Sequence, residues 1–186
     1  MSTTNPSAQV VLADMEALWP SFVNCRAHFP YVDEGVIGKK CVPTAPYYIA
    51  RGFRIAFVFS TPVSKAAVTR INEVGHWINQ NFVIRLYALL DCHHLTESID
   101  QAVDGWKDVD LVRRLRNYFA HGSGKYDRAN KDHQRTMQEL ATHLGVDFSS
   151  ESDFPLSINT VLEPLFKGCK KYVKGRLAIP GIRGQP

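Results

Sequence analysis

The segment Trp106-Lys107-Asp108-Val109-Asp110-Leu111-Val112-Arg113-Arg114-Leu115-Arg116-Asn117-Tyr118-Phe119-Ala120-His121 carries a helical period. At about 100° per residue, with Leu115 at zero, Leu111, Val112, Tyr118 and Phe119 fall within about 60° and form one apolar face. Arg113, Asn117 and His121 fall at about 160°, 200° and 240°, a polar column on the far side with a spacing of four. Arg116 lies at about 100°, on the edge of the apolar stripe. The pattern predicts a helix over Trp106–Ala120 with His121 in its last turn. Gly122-Ser123-Gly124 follows as a terminator, because glycine takes the left-handed cap without a Cβ clash.

The flanking segments repeat this period. Ala66, Ala67, Ile71, Val74, Trp77, Ile78, Phe82, Leu86, Leu89 and Leu90 recur at spacings of three and four. They predict a long amphipathic helix from Val63 to about His93, started by Ser60-Thr61-Pro62 and bent near Gly75. Val10, Val11, Ala13, Met15, Leu18, Trp19 and Phe22 predict a first helix over Ser7 to about Asn24, ended or kinked by Pro20. Asp127 is the expected N-cap of a helix reaching Leu144 and stopped by Gly145. Ser157 is the expected cap of a last helix reaching about Leu177, with Pro164 in its first turns. Thr96–Val103 reads as a short helix or turn, broken by Asp104-Gly105.

Cys25–Pro46 is rich in Gly and Pro and reads as a long connection, with a short hairpin over Tyr31–Val42. Ile55–Phe59 fits either a buried strand or a buried helix. The expected architecture is all-α, a bundle of five or six helices with an irregular N-terminal extension. The expected division is an N-terminal helix and arm over 1–46, a bundle over 47–180 and a tail over 181–186. Trp19, Trp77 and Trp106 are expected in the core.

The chain has 186 residues, 45% of them hydrophobic and 22% charged, which suits one domain with a sizeable core. The net charge of +4 decides little, but its distribution is uneven. Eight Lys and Arg stand against four Asp between Trp106 and Arg135, and a second basic cluster runs from Lys167 to Arg183. Such clusters suit a polyanion, and equally a pair of solvated helix faces. The four cysteines, Cys25, Cys41, Cys92 and Cys169, are too scattered for a disulfide framework or a zinc ribbon. No apolar run approaches the ~20 residues that span a bilayer, and no basic start precedes an apolar stretch. No membrane association and a cytoplasmic location are expected.

Arginine, carboxamide and histidine at one helix end can hold a phosphate, orient it and move a proton, imidazole being the side chain that exchanges one near neutrality. The alternative on these residues alone is a His121 that caps carbonyls and an Arg116 in ion pairs with Asp108 or Asp132. Cys92-His93-His94 does not make a metal site, because adjacent histidines point apart on a helix and no second pair has ligand spacing. No metal and no cofactor are expected. Gly122-Ser123-Gly124-Lys125 lacks the full phosphate-loop pattern and a preceding strand. His133 with Arg128, Lys131 and Arg135 either lines a path for a polyanion or is solvated surface.

Arg116, Asn117 and His121, with four residues between Arg and His in an all-α chain, resemble the hallmark of the HEPN superfamily (higher eukaryotes and prokaryotes nucleotide-binding). The resemblance is specific over Leu111–Gly122, architectural from about Tyr47 to Leu177, and does not extend to Met1–Pro46. It implies a metal-independent endoribonuclease of a defence or toxin–antitoxin system, with a possible antitoxin as partner. It also implies a homodimer in which two motifs face one composite RNA cleft. In that scheme Arg116 binds the scissile phosphate, His121 is the general acid or base for attack by the ribose 2′-hydroxyl, and Asn117 orients either. Beside the residues of that scheme, the helix column adds Arg113 as a second expected phosphate contact, and Lys125 and Arg128 of the basic stretch are expected RNA or phosphate contacts. In one toxin branch a tyrosine stands two residues after the histidine; here that position is Ser123. The superfamily also has inactive members that bind RNA, a nucleotide or a protein partner.

Overall fold

The structure is a computed structural model that describes residues 6–29, 31–43, 56–121, 126–148, 154 and 156–178. Among them the chain is all-α. Its helices are α1 (Pro6–His28), α2 (Lys65–Cys92), α3 (Trp106–His121), α4 (Lys131–Leu144) and α5 (Glu163–Ala178). A 3₁₀ turn at Glu34–Val36 and two short strands, β1 (Cys41–Pro43) and β2 (Ala56–Val58), complete the inventory before α2. Packing divides the chain into two compact units, Met1–Ala17 with Phe82–Pro186, and Leu18–Asn81. The division falls inside α1 and inside α2.

The larger unit is a helical bundle with a continuous apolar interior. Val11, Met15, Leu86, Leu90, Val109, Leu111, Leu115, Leu140, Leu162, Leu165 and Tyr172 are all withdrawn from water. α3 packs on α5 and on α4. Gly168 of α5 makes the first packing close, since a Cβ there would fall on the Asp108 carboxylate. The turns before α3 are tied to α5 by the Asp100 amide, which donates to the Tyr172 hydroxyl at 2.9 Å. Thr96–Val103 forms turns rather than a helix.

In the larger unit two helix starts differ from expectation for local reasons. Asn130, not Asp127, caps α4: its side chain accepts from the Asp132 and His133 amides. Asp127 closes the preceding turn, accepting from the Ala129 amide at 2.8 Å. Gly145 ends α4 in the left-handed region (φ 67°), as its position after Leu144 predicts. Ser157 precedes a π-helical turn, Ile158–Leu162, and makes no side-chain cap bond. Pro164 has no N–H to give, so the chain before it is released from the α register, and the Glu163 amide reaches back five residues to the Ile158 carbonyl.

The smaller unit has its own core of Val32, Val63 and Val68, flanked by Val36, Phe57, Phe59, Ala67 and Ile71. The hairpin expected over Tyr31–Val42 is absent among the described residues; β1 instead pairs antiparallel with β2, Val42 opposite Phe57. The open choice at Ile55–Phe59 between a buried strand and a buried helix therefore resolves to a strand over Ala56–Val58, but an exposed one, with Val58 80% exposed. The Asn72 carboxamide acts as a surrogate strand for Val32, accepting from its amide (2.8 Å) and donating to its carbonyl (3.0 Å). The first helix runs on through Pro20 to His28. α2 begins at Lys65, where the Ser64 hydroxyl accepts from the Ala67 amide, and is unbroken at Gly75. Gly75 serves packing: a Cβ there would collide with the buried Arg26 guanidinium. Trp77 is 62% exposed rather than in the core. It stands about 160–200° around the helix from Gly75 and Asn79, which face inward.

Candidate functional site

α3 carries the candidate site, and its buried face matches the helical period. Val109, Leu111, Val112 and Leu115 are fully buried and Phe119 nearly so, while Arg113, Asn117 and His121 are exposed. Arg116 is half-buried, as its place at the edge of the stripe requires.

The first three turns of α3 are a region of paired charge. Asp108, buried against Gly168, accepts from His143 Nε2 of α4 at 2.9 Å. Burial pushes the Asp108 carboxyl above its ordinary value, and the His143 bond holds back only part of that rise. Asp110, 6% exposed, is clamped by Arg113 (2.6 Å) and Arg114 (2.8 Å). Arg114 continues to Glu139 of α4 at 3.2 Å, and Lys107 and Arg135 (2.8 Å) meet the same carboxylate. The Lys107 hydrogen bond first, and then Arg135 and Arg114, lower Glu139 to about 2 against the cost of its burial. Four cations thus surround two carboxylates and lock α3 to α4.

The last turn differs. Arg116 Nη1 lies 3.0 Å from His121 Nε2 and donates to Asn117 Oδ1 at 3.1 Å. Its guanidinium also sits 5.0 Å from the centre of the Tyr87 ring, contributed by α2. A guanidinium has only donors, so His121 Nε2 is the acceptor in this pair. Arg116, Asn117 and His121 therefore converge on one exposed helix end. A phosphate oxygen that replaces Nε2 as the partner of Arg116 would leave the imidazole nitrogen beside the anion and able to exchange a proton.

An aromatic cluster fixes this end. Tyr118 stacks on Phe154 (5.1 Å, 8°) and meets the His133 ring edge-on (4.2 Å), while Phe119 meets Phe154 at right angles. The Tyr118 hydroxyl donates to the Asp132 carbonyl at 3.1 Å and lies 3.0 Å from the Thr136 hydroxyl. The Asp108 carboxylate is engaged with His143, and Arg116 turns to its own helix end.

The remaining candidates fall as follows. Arg113 stands on the exposed column but has one Nη bonded to Asp110. Arg128 lies in the turn before α4, where its carbonyl accepts from Gln134. Lys125 and the Gly122-Ser123-Gly124 terminator lie outside the described residues. The His133 ring is half-buried in the aromatic cluster, and its Nδ1 accepts from the Asp127 amide at 2.9 Å. Cys92, His93 and His94 take separate partners, the Leu89 carbonyl, Asp14 and Glu97.

Tyr87 and Phe154 are the members of the site that sequence reasoning missed. Nothing in their local sequence links them to the motif, since Tyr87 comes from α2 and Phe154 from the segment between α4 and α5. The chain matches no family model, no curated protein and no solved structure.

Proposed function

We propose that the chain is a metal-independent endoribonuclease of HEPN type, acting in a defence or toxin–antitoxin role as a homodimer with a composite RNA cleft. The observation that supports it is the 3.0 Å approach of Arg116 to His121 beside Asn117, on an exposed helix end. Arg116 exchanges the imidazole for a non-bridging oxygen of the scissile phosphate and stabilises the charge that grows there. His121 takes the proton of the ribose 2′-hydroxyl. O2′ bonds to phosphorus as the bond from phosphorus to O5′ breaks, and the departing oxygen is protonated by the second copy's histidine. The products are a 2′,3′-cyclic phosphate and a 5′-hydroxyl. DNA is spared because it lacks the nucleophile.

The experiment incubates the full chain with single-stranded and structured RNAs in EDTA. Cleavage is expected, and is lost when the scissile nucleotide is 2′-deoxy or when His121→Ala is introduced with the fold intact. A wild-type chain that leaves single-stranded RNA, tRNA and total RNA uncut would overturn the activity.

A second reading is a non-catalytic HEPN-like module that binds RNA, a nucleotide or a protein partner. It is favoured by the way Arg116 is already satisfied within the chain by His121, Asn117 and the Tyr87 ring. This reading expects salt-dependent RNA binding without turnover, weakened by Arg116→Ala.

A further inference from the structure

The two units share the chain's charge unevenly. The smaller unit, Leu18–Asn81, has seven Lys and Arg against three acids, while the rest of the chain has fifteen against fifteen. The whole excess of +4 therefore lies in the smaller unit. One of its cations is inside. Arg26, in the last turn of α1, is 8% exposed, and its guanidinium occupies the space that a Cβ on Gly75 of α2 would fill.

A buried guanidinium needs a carboxylate partner, because desolvation of an unpaired charge opposes folding strongly. Arg26 has none among the described residues. Of the unit's three acids, Asp33 accepts from the Gly35 amide and Glu34 pairs with Lys65 at 3.2 Å. Glu73 is exposed, about 200° around α2 from Gly75. The stretch 44–55 contains no acid. Burial pushes the Arg26 guanidinium below its ordinary pKa, with no anion to hold it up.

The unused side of Arg26 has a definite shape. Among the described residues the guanidinium makes one hydrogen bond, from Nη1 to the Phe29 carbonyl. Its Nε is withdrawn from water and has no partner. The N–H groups of Nε and Nη2 point the same way along one edge, a spacing that matches two oxygens of an oxyanion. Two polar side chains follow on the same arc of α2. Asn79 lies about 40° and His76 about 100° around the helix from Gly75, and the Asn79 Oδ1 and His76 Nε2 atoms are buried as well. A guanidinium, an imidazole and a carboxamide can each donate to a phosphate oxygen.

We propose that Arg26, with His76 and Asn79 of α2, is an anion site of the smaller unit that takes a phosphate group, free or carried by a nucleic acid strand. The positive excess of the unit favours this multiply charged anion over a single carboxylate. The site does not rest on the ribonuclease reading, because it requires binding and no cleavage.

The test adds inorganic phosphate, and separately a 2′-O-methyl hexanucleotide that cannot undergo 2′-hydroxyl attack, to the full chain at constant pH and ionic strength. Saturable shifts of the Gly75, His76 and Asn79 amide resonances are expected with at least one of the two, and the one that acts identifies the source of the phosphate. Arg26→Met removes the charge and is expected to weaken that binding at least tenfold. Arg26→Lys keeps the charge without the forked edge and is expected to weaken it at least threefold. Arg70→Met, at an exposed position of α2, is expected to leave it within twofold. A wild-type chain whose resonances shift saturably with neither ligand overturns the site, and that measurement needs no substitution. Binding that Arg26→Met and Arg26→Lys both leave unchanged overturns it too.

Discussion

The two ends of α3 handle charge in opposite ways. Over its first turns Asp108, Asp110, Arg113 and Arg114 are all engaged by opposite charge or by His143, and two of the four are buried. In its last turn Arg116 faces an imidazole, a carboxamide and an aromatic ring, and among the described residues it meets no carboxylate. A paired, partly desolvated charge holds one helix against another and loses much when a partner is removed. A cation held by neutral groups keeps its field for an incoming anion. The first end therefore acts as a fastening, and the second as the candidate site.

The sharpest way to break this contrast is at its exposed end. His121→Ala is expected to lower RNA cleavage by about 10²–10⁴-fold, the usual contribution of a positioned acid or base, while stability stays within about 0.5 kcal/mol. Single-turnover cleavage beside urea unfolding checks both halves. A large loss of stability would mean that the last turn is a fastening too.

The opposite result is expected at Asp110. Removing this buried carboxylate takes a partner from exposed Arg113 and from Arg114, which keeps Glu139, and Asp110→Ala is expected to cost about 2 kcal/mol, less than the loss of a fully buried pair. Urea unfolding measures it. A cost near zero would dissolve the distinction between the two ends.

Glu139 sharpens the comparison through pH. Its carboxyl is lowered from 4.5 to about 2 in the folded chain, so the unfolded chain binds the proton first. The stability it contributes is complete above about 4.5 and is lost as pH falls toward 2, on the order of 2 kcal/mol after allowance for the shared network. Glu139→Gln is expected to remove that pH dependence from the unfolding free energy measured between pH 5 and 2.5. Asp108 works with the other sign. Its raised carboxyl means that ionisation opposes folding, so its term grows unfavourable as pH rises through the folded value. The smallest effect concerns the α4 start: Asn130→Ala is expected to cost about 1 kcal/mol by circular dichroism melting, and Asp127→Ala less, because only Asn130 caps the helix.

Much of α3 was legible before any coordinates. A helix places residues three and four apart on one face, so Leu111, Leu115 and Phe119 had to go inward together, and Arg113, Asn117 and His121 outward together. The closeness of Arg116 and His121 was less so. They stand about 140° apart around the helix, and the long arginine side chain spans the difference along the final turn. The choice of Asn130 over Asp127 as the cap was not legible either. Both side chains can cap, and the decision follows from how Tyr118, His133 and Thr136 seat the start of α4 on α3.

Periodicity acts through the backbone geometry of neighbouring residues, and so the order of symbols along the chain was enough to set α3, its buried face and its polar column, but not the start of α2 or the exposed side of Trp77. Tyr87 beneath Arg116, Phe154 under Tyr118 and His143 on Asp108 have no such local rule. They depend on which distant faces pack together, and that choice is made by the whole set of buried side chains competing for one interior.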